Sequence, residues 1–448
     1  LLKMLTFLGI SMIMCFMYLI MSKRLSALVA LILIPFLFAI IAWGLGFYFE
    51  SLSHIQLAEL GNTMLDGIKK LAPTGVMLLF AILYFALMID TGLFDPSVRW
   101  ILKKVKGDPL KITLGTVFLT LLVSLDGDGS TTYMICVAAM MPLYKRVGMN
   151  PLIMTCLMLL CSGVMNLTPW GGPTARAASA LQVDASEVFI PMIPSMIVAA
   201  AWLFFLAYLY GMYERKRLGV IELVDISHAD DISISKDPDA QRPHLRWFNG
   251  ILTLLLMASL VKGILPMSIL FMLGFCIALV VNYPCVNMQK KRIAMHADSV
   301  LAVVGVIFGA GVFTGILSGT GMVEAMSKGF VAIIPPSMGP YLAPITGVLS
   351  MPLTFFMSND AFYFGVLPIL AEAASHYGIP PVEIARASII GQPIHLLSPL
   401  VPSTYLLCGL AAVELADHQK FTLKWAFITC CVLMGSALIF GVFPFYHM

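Results

Sequence analysis

Charge is scarce in this chain. Asp, Glu, Lys and Arg make up 11% of its 448 residues, while hydrophobic residues make up 60%. Soluble domains carry about 25% charged residues, so the composition excludes that class and points to a protein that crosses a membrane several times. The formal net charge of +3 is too small to suggest a nucleic-acid partner. Metal-type Cys-x-x-Cys spacing is missing as well. The nine cysteines, among them Cys136, Cys156, Cys161, Cys276, Cys430 and Cys431, lie mostly inside apolar stretches and read as small hydrophobes rather than as a disulfide framework. No Ala-x-Ala cleavage pattern follows the first apolar run, so that run is expected to be a retained span. Enzymes that cut peptides with intramembrane aspartates need a Tyr-Asp and a Gly-x-Gly-Asp pattern, and Gly127-Asp128-Gly129 is neither. No enzymatic activity is expected.

Apolar runs dominate what is present. Spans are expected at residues 5–21, 25–49, 72–88 and 190–213 in the first part of the chain. Others are expected at residues 247–261, 266–283, 300–317 and 421–443. Residues 99–106 and 322–333 read as helices lying in the membrane interface. The polar stretch with Glu50, His54, Glu59 and Asp66 reads as a connection leading to the third span.

Residues 111–123 and 133–144 each give roughly 20 Å of helix, too short for a bilayer core of about 30 Å. Between them stands Ser124-Leu-Asp-Gly-Asp-Gly-Ser-Thr-Thr132. The economical reading is a hairpin that enters the membrane, turns at depth and leaves on the side it came from. Irregular backbone survives at that depth only when protein or a polar cavity surrounds it, so Asp126 and Asp128 should face a site. A second pair of short arms, residues 340–356 and 361–374, flanks Met357-Ser-Asn-Asp360. Two further helices break at proline: one at Asn166-Leu-Thr-Pro-Trp-Gly-Gly-Pro-Thr174, the other at Leu396-Leu-Ser-Pro-Leu-Val-Pro-Ser-Thr404.

These features recur at a constant spacing. Pro169 and Pro399 lie 230 positions apart, as do Thr174 and Thr404, Tyr133 and Tyr363, Gly148 and Gly378, and Pro151 and Pro381. The expected division is a first repeat, 1–213, with a cytoplasmic-side hairpin 111–145 and a broken helix 151–182. A charged cytoplasmic linker, 214–246, follows, and then a second repeat, 247–448, with an outside hairpin 340–375 and a broken helix 381–413. Each repeat crosses an odd number of times, so the two should be inverted, a recurrent architecture of secondary transporters. With the amino terminus outside, the clusters at Lys23, Lys103, Lys145, Arg215 and Lys290 all fall on the inside. The fold class expected is an all-α polytopic protein of the plasma (inner) membrane, with two inverted repeats that each contain a re-entrant hairpin and a broken helix.

Two tips and two breaks meeting at the midplane would present half-helix amino ends to an anion and carboxyl ends to a cation. Hydroxyls would come from Ser130, Thr131, Thr132, Thr168, Thr174, Ser358, Ser398, Ser403 and Thr404, and amides from Asn166 and Asn359. Gly171 and Gly172 permit the first break to unwind. Arg176, the only arginine in its apolar neighbourhood, is the candidate for a substrate carboxylate or, alternatively, a structural partner of Asp126 or Asp128. Asp126, Asp128 and Asp360 are the candidates for proton or metal coupling, and His395 could relay a proton or coordinate metal.

The motifs Leu125-Asp-Gly-Asp-Gly-Ser-Thr-Thr132, Asn166 to Ala177 and Met357-Ser-Asn-Asp-Ala361 resemble those of the citrate-metal:proton symporter family, within the ion transporter superfamily. The resemblance covers essentially the whole chain. It implies uptake of citrate, or a similar tricarboxylate, complexed with a divalent metal ion of the magnesium or calcium type and driven by protons. No permanently bound cofactor is implied. It also implies a homodimer in membrane lipid, in which a transport domain moves as an elevator against a scaffold. Sodium-coupled carriers of the superfamily carry Ser-Asn-Thr at both tips; Ser358-Asn359-Asp360 and the aspartate-rich first tip suit protons or a metal instead. An anion or cation:proton exchanger of the same superfamily and a channel are the alternatives.

Overall fold

The computed structural model describes residues 2–47, 57–105, 107–127, 129–220, 237–331, 335 and 337–447. Glu50, His54, Lys106, Asp128 and residues 221–236 of the linker lie outside the described residues, as does the side chain of Asp126. The described chain is helical from end to end. The first half holds α1 (Leu2–Met21), α2 (Ala27–Gly46), α3 (Leu57–Asp90), α4 (Asp95–Val105), α5 (Pro109–Val123), α6 (Gly129–Val147), α7 (Pro151–Met165), α8 (Gly172–Leu181), α9 (Ala185–Phe189) and α10 (Ile193–Leu218). The second holds α11 (Arg246–Lys262), α12 (Met267–Asn282), α13 (Val286–Gly319), α14 (Met322–Val331), α15 (Leu342–Phe356), α16 (Leu367–Ser375), α17 (Pro381–Ser388), α18 (Gln392–His395), α19 (Pro402–Ala411) and α20 (Leu415–Ile439). A π-helical turn, Ala361–Val366, leads into α16. Among the described residues, six helices are long and apolar enough to cross a membrane.

Local sequence accounts for the helix starts. Asp108 accepts from the Leu110 N–H and Asn150 from the Leu152 N–H, each followed by a proline at the first helical position, where a missing N–H costs nothing. The stops recur in both halves. Gly92 and Gly321, at φ 75° and 73°, turn the chain out of α3 and α13. Gln182 and Ala412, at φ 55° and 53°, close α8 and α19 in the same left-handed conformation.

Two helices are far longer than expected. α3 and α13 each run 34 residues, roughly 50 Å, against expected spans at residues 72–88 and 300–317. An apolar window detects only the part of a helix that lies in lipid. Beyond it, Glu59, Asp66 and Lys69 continue α3, with Lys69 paired to Asp66 one turn away at 2.9 Å, because straight-chain charged residues favour helix as well as apolar ones do. The second broken helix also holds an unexpected extra interruption between α17 and α18. There Gly391 lies so close to Ser350 that a Cβ would stand 2.7 Å from its backbone, and the Gly391 N–H donates to Ser350 Oγ at 3.0 Å.

Packing sorts the helices into two groups. α1, α2, α3, α11, α12, α13 and α14 pack among themselves, while α5 to α10 and α15 to α20 surround the hairpins. The first group is centred on the crossing of α3 with α13. A Cβ on Gly67 would meet the Gly311 carbonyl at 2.0 Å, and one on Gly315 would meet the Thr63 carbonyl at 2.6 Å. Backbones approach this closely only through small residues, which is how membrane helices gain contact without a hydrophobic drive between them. The groups meet where α8 lies against α13 and α3, and where α14 lies against α16.

Candidate functional site

Four irregular stretches line one cavity of about 200 Å³. Ser124, Gly127, Gly129 and Thr132 come from the first tip, Ser162, Asn166 and Gly172 from the first broken helix, Asn359 from the second tip, and His395, Leu396, Val401 and Ser403 from the second break.

Each tip is tied to the break of its own half. The Trp170 indole N–H donates to the Leu125 carbonyl at 2.8 Å, and Gly127, at φ 77°, leaves no room for a Cβ beside that ring. In the second half, Ser398 Oγ donates to the Phe355 carbonyl at 2.6 Å. His395 Nδ1 lies 2.7 Å from the Thr354 carbonyl, which can only accept, so that nitrogen carries the hydrogen. Several hydroxyls expected at the substrate are used in the same way. Thr174 donates to the Leu167 carbonyl at 2.9 Å, Thr404 donates to the Leu396 carbonyl, and Ser358 accepts the Ala361 N–H at 3.2 Å. With Ser398, these side chains brace the breaks and the second tip, and none of them lines the cavity, nor does Thr168 or Gly171. An unwound segment exposes carbonyls and N–H groups at depth, and the nearest hydroxyls satisfy them before any substrate can.

The two halves are joined at the centre. Arg176 Nε donates to Asp360 Oδ1 at 2.7 Å, and Nη1 to the Gly172 carbonyl at 3.2 Å. The aspartate of the second tip, 184 positions away, is thus a partner of Arg176, while the side chains of Asp126 and Asp128, its alternative partners, lie outside the described residues. Gln392, which sequence reasoning passed over, is fully buried and donates to Asn359 Oδ1 at 3.3 Å and to the Tyr363 hydroxyl at 3.0 Å. It also accepts from Asn166 Nδ2 at 3.5 Å. Its signal in the sequence is a polar side chain inside an apolar helix, three positions before His395. Gly163 and Pro393 meet where α7 and α18 cross, with no space for a Cβ on the glycine.

A larger cavity, about 520 Å³, shares Gly127 and Gly172 with the first. Ser130, Thr131, Trp170 and Arg176 line it on one side; Ile82 and Ile89 of α3 and His296, Ser299 and Val303 of α13 line the other. Among the described residues, no three His, Cys, Asp or Glu side chains come together as a metal cluster. Around the cavities the carboxyl ends of α5, α7, α15 and α18 face the amino ends of α6, α8 and α19 and the π-helical turn. Gly171 and Val401 make no side-chain cap hydrogen bond, so the amino ends of α8 and α19 are left without that partner, whereas Ser358 takes the Ala361 N–H at the second tip. This arrangement suits an anion held together with a cation.

The family profile of citrate transporters matches residues 5–391. The chain belongs to the citrate transporter family. The transporter is 58% identical to a citrate transporter of Bacillus subtilis strain 168 over 99% of its own length and 100% of that protein's. It is 53% identical to the Mg(2+)/citrate complex secondary transporter of the same organism over 98% and 99% of the two chains. Among solved structures it is similar in fold to the Alcanivorax borkumensis YdaH transporter, with a TM-score of 0.57 at 14% identity over 87% of this chain and 90% of that one. It is likewise similar to Neisseria gonorrhoeae MtrF, with a TM-score of 0.59 at 14% identity over 86% and 84%. The transporter is thus a multi-pass protein of the plasma membrane, and its paired breaks and hairpins belong to a transport fold.

Proposed function

We propose that the transporter imports citrate as a complex with a divalent metal ion of the magnesium type, in symport with protons. The observation that carries this reading is the meeting of the two cavities at Gly127 and Gly172: the amides of Asn166 and Asn359 line the smaller one, and Arg176, paired with Asp360, lines the larger. A relative at 53% identity is named for the Mg(2+)/citrate complex, which supports the same cargo. In this reading Ser130, Thr131, Thr132, Asn166, Gly172, Asn359 and Ser403 contact the complex, and Arg176 takes a carboxylate. Thr168, Gly171, Thr174, Ser358, Ser398 and Thr404 hold the frame around it.

Movement is of the elevator type, the hairpin group sliding against the α3–α13 group, in a homodimer. The separate packing of the two helix groups supports this. The larger cavity extends to the ends of α3 and α13 that carry Ile89 and His296, which the distribution of lysine and arginine puts on the cytoplasmic side, and this supports an inward-facing reading. Proton coupling falls to the tip aspartates: Asp128 or Asp360 exchanges the proton, and Asp126 shapes the glycine turn. A carboxylate at depth favours its neutral form until a cation stands beside it, so one group can alternate between proton and metal complex.

Uptake of labelled citrate into proteoliposomes tests the proposal. Accumulation is expected with magnesium and an inward proton gradient, and is expected to fall to background with a chelator or a protonophore. The coupling aspartate, changed to asparagine, should lose gradient-driven accumulation and keep some citrate exchange. Uptake indifferent to metal and gradient would overturn the reading.

A further inference from the structure

Arg176 and Asp360 come from different halves and different kinds of element, the second turn of a broken-helix segment and the tip of a hairpin. They meet through a single bond of 2.7 Å rather than a fork, with side chains 21% and 17% exposed. Arg176 also lines the larger cavity, so its partner can be replaced from there. Resting on the cargo reading above, we infer that this pair is the element that selects the metal–citrate complex over either of its parts, by exchange of partners.

The pair carries one positive and one negative charge, held together. A metal-bound carboxylate of the same polarity can slot between them. The citrate carboxylate takes the place of Asp360 Oδ1 on the Arg176 guanidinium, and the freed Asp360 carboxylate turns to the metal. Each protein charge ends with an opposite partner. Arg176 is kept in place meanwhile, because Nη1 stays bonded to the Gly172 carbonyl at 3.2 Å.

Neither part of the cargo alone completes the exchange. Metal-free citrate satisfies Arg176 but leaves Asp360 unpaired beside a polyanion. A bare cation satisfies Asp360 but leaves the guanidinium unpaired at depth. Unpaired charges of this kind are how a site rejects a wrong partner. The same pairing leaves the empty carrier without a bare charge to move through the membrane.

Binding of labelled citrate to the purified full-length transporter in detergent tests the inference, with magnesium or with a chelator. The native protein is expected to bind citrate at least about tenfold tighter with magnesium, equivalent to 1.4 kcal/mol. Asp360→Asn should narrow that ratio to about twofold, chiefly by gaining affinity for metal-free citrate, because the unpaired negative charge is gone. Asp360→Glu should keep the native ratio. Asp360→Ser provides the same readout if the amide variant elutes as aggregate. A native-like ratio in Asp360→Asn or Asp360→Ser would overturn the inference while leaving the cargo reading intact. A native protein that binds no citrate with any divalent metal would overturn both.

Discussion

At the residue scale, Arg176 illustrates what a single position can and cannot announce. A guanidinium in an apolar neighbourhood signals a site, but its partner is chosen by the fold. Lysine keeps the charge and loses the planar donor array, so Arg176→Lys is expected to weaken citrate binding by about tenfold or more while leaving the unfolding temperature near native. Titration calorimetry beside thermal unfolding checks both, and native affinity in the variant would make the residue structural only. Gln392 shows the opposite case. Its local sequence marks it as a polar side chain in an apolar stretch but names no partner, yet it links the first break, the second tip and Tyr363. The hydroxyls of Thr174, Ser398 and Thr404 were legible as belonging to the breaks, but their carbonyl partners were not.

At the scale of elements, hairpin arms and breaks were legible because their length, proline positions and caps are local properties. The true length of α3 and α13 was not, because charged residues that continue a helix look like those that leave one. The crossing of these two helices carries a prediction of its own. Gly315→Leu should lower stability by about 1–3 kcal/mol or more, since its Cβ would stand 2.6 Å from the Thr63 carbonyl. Gly44→Ala, where nothing lies within 4 Å of the added carbon, should be neutral or slightly stabilising. Thermal unfolding in detergent compares them, and equal curves would remove the crossing from the set of stabilising contacts.

At the scale of the whole molecule, the charge distribution predicts sidedness. Single-cysteine variants in intact cells should react with a membrane-impermeant maleimide at Asp184→Cys and not at the native Cys285, which is exposed; the reverse pattern would invert the topology. The end of the linker is fastened on the same side as Cys285. Arg292, buried between α3 and the linker, donates to Asp237 at 2.5 Å and to Asp90 at 3.4 Å, and the Arg242 guanidinium lies 4.5 Å from the Tyr283 ring. The bond from Arg292 holds the Asp237 carboxyl below its ordinary value of 3.8. A lowered carboxyl pKa contributes stability above the unfolded value and loses it as the pH falls through the folded one. Hydrogen-exchange protection around Asp237 should therefore be strongest at neutral pH and weaken in acid, whereas Asp237→Asn should show less protection at neutral pH and little further change on acidification.

The sequence by itself determined the class of protein, the order of its elements and the stretches where chemistry gathers. Composition, helix length and proline placement act within a few turns of chain and need no partner to be read. The tertiary structure alone decided that Arg176 meets Asp360, that Gln392 bridges the halves, and which hydroxyls face the cavity rather than brace it. Those outcomes depend on how segments 184 and 226 positions apart are brought to one point, and many pairings of the same polar residues satisfy the local rules equally well. Only packing, through contacts as close as Gly163 on Pro393 and Gly67 on Gly311, selects one of them.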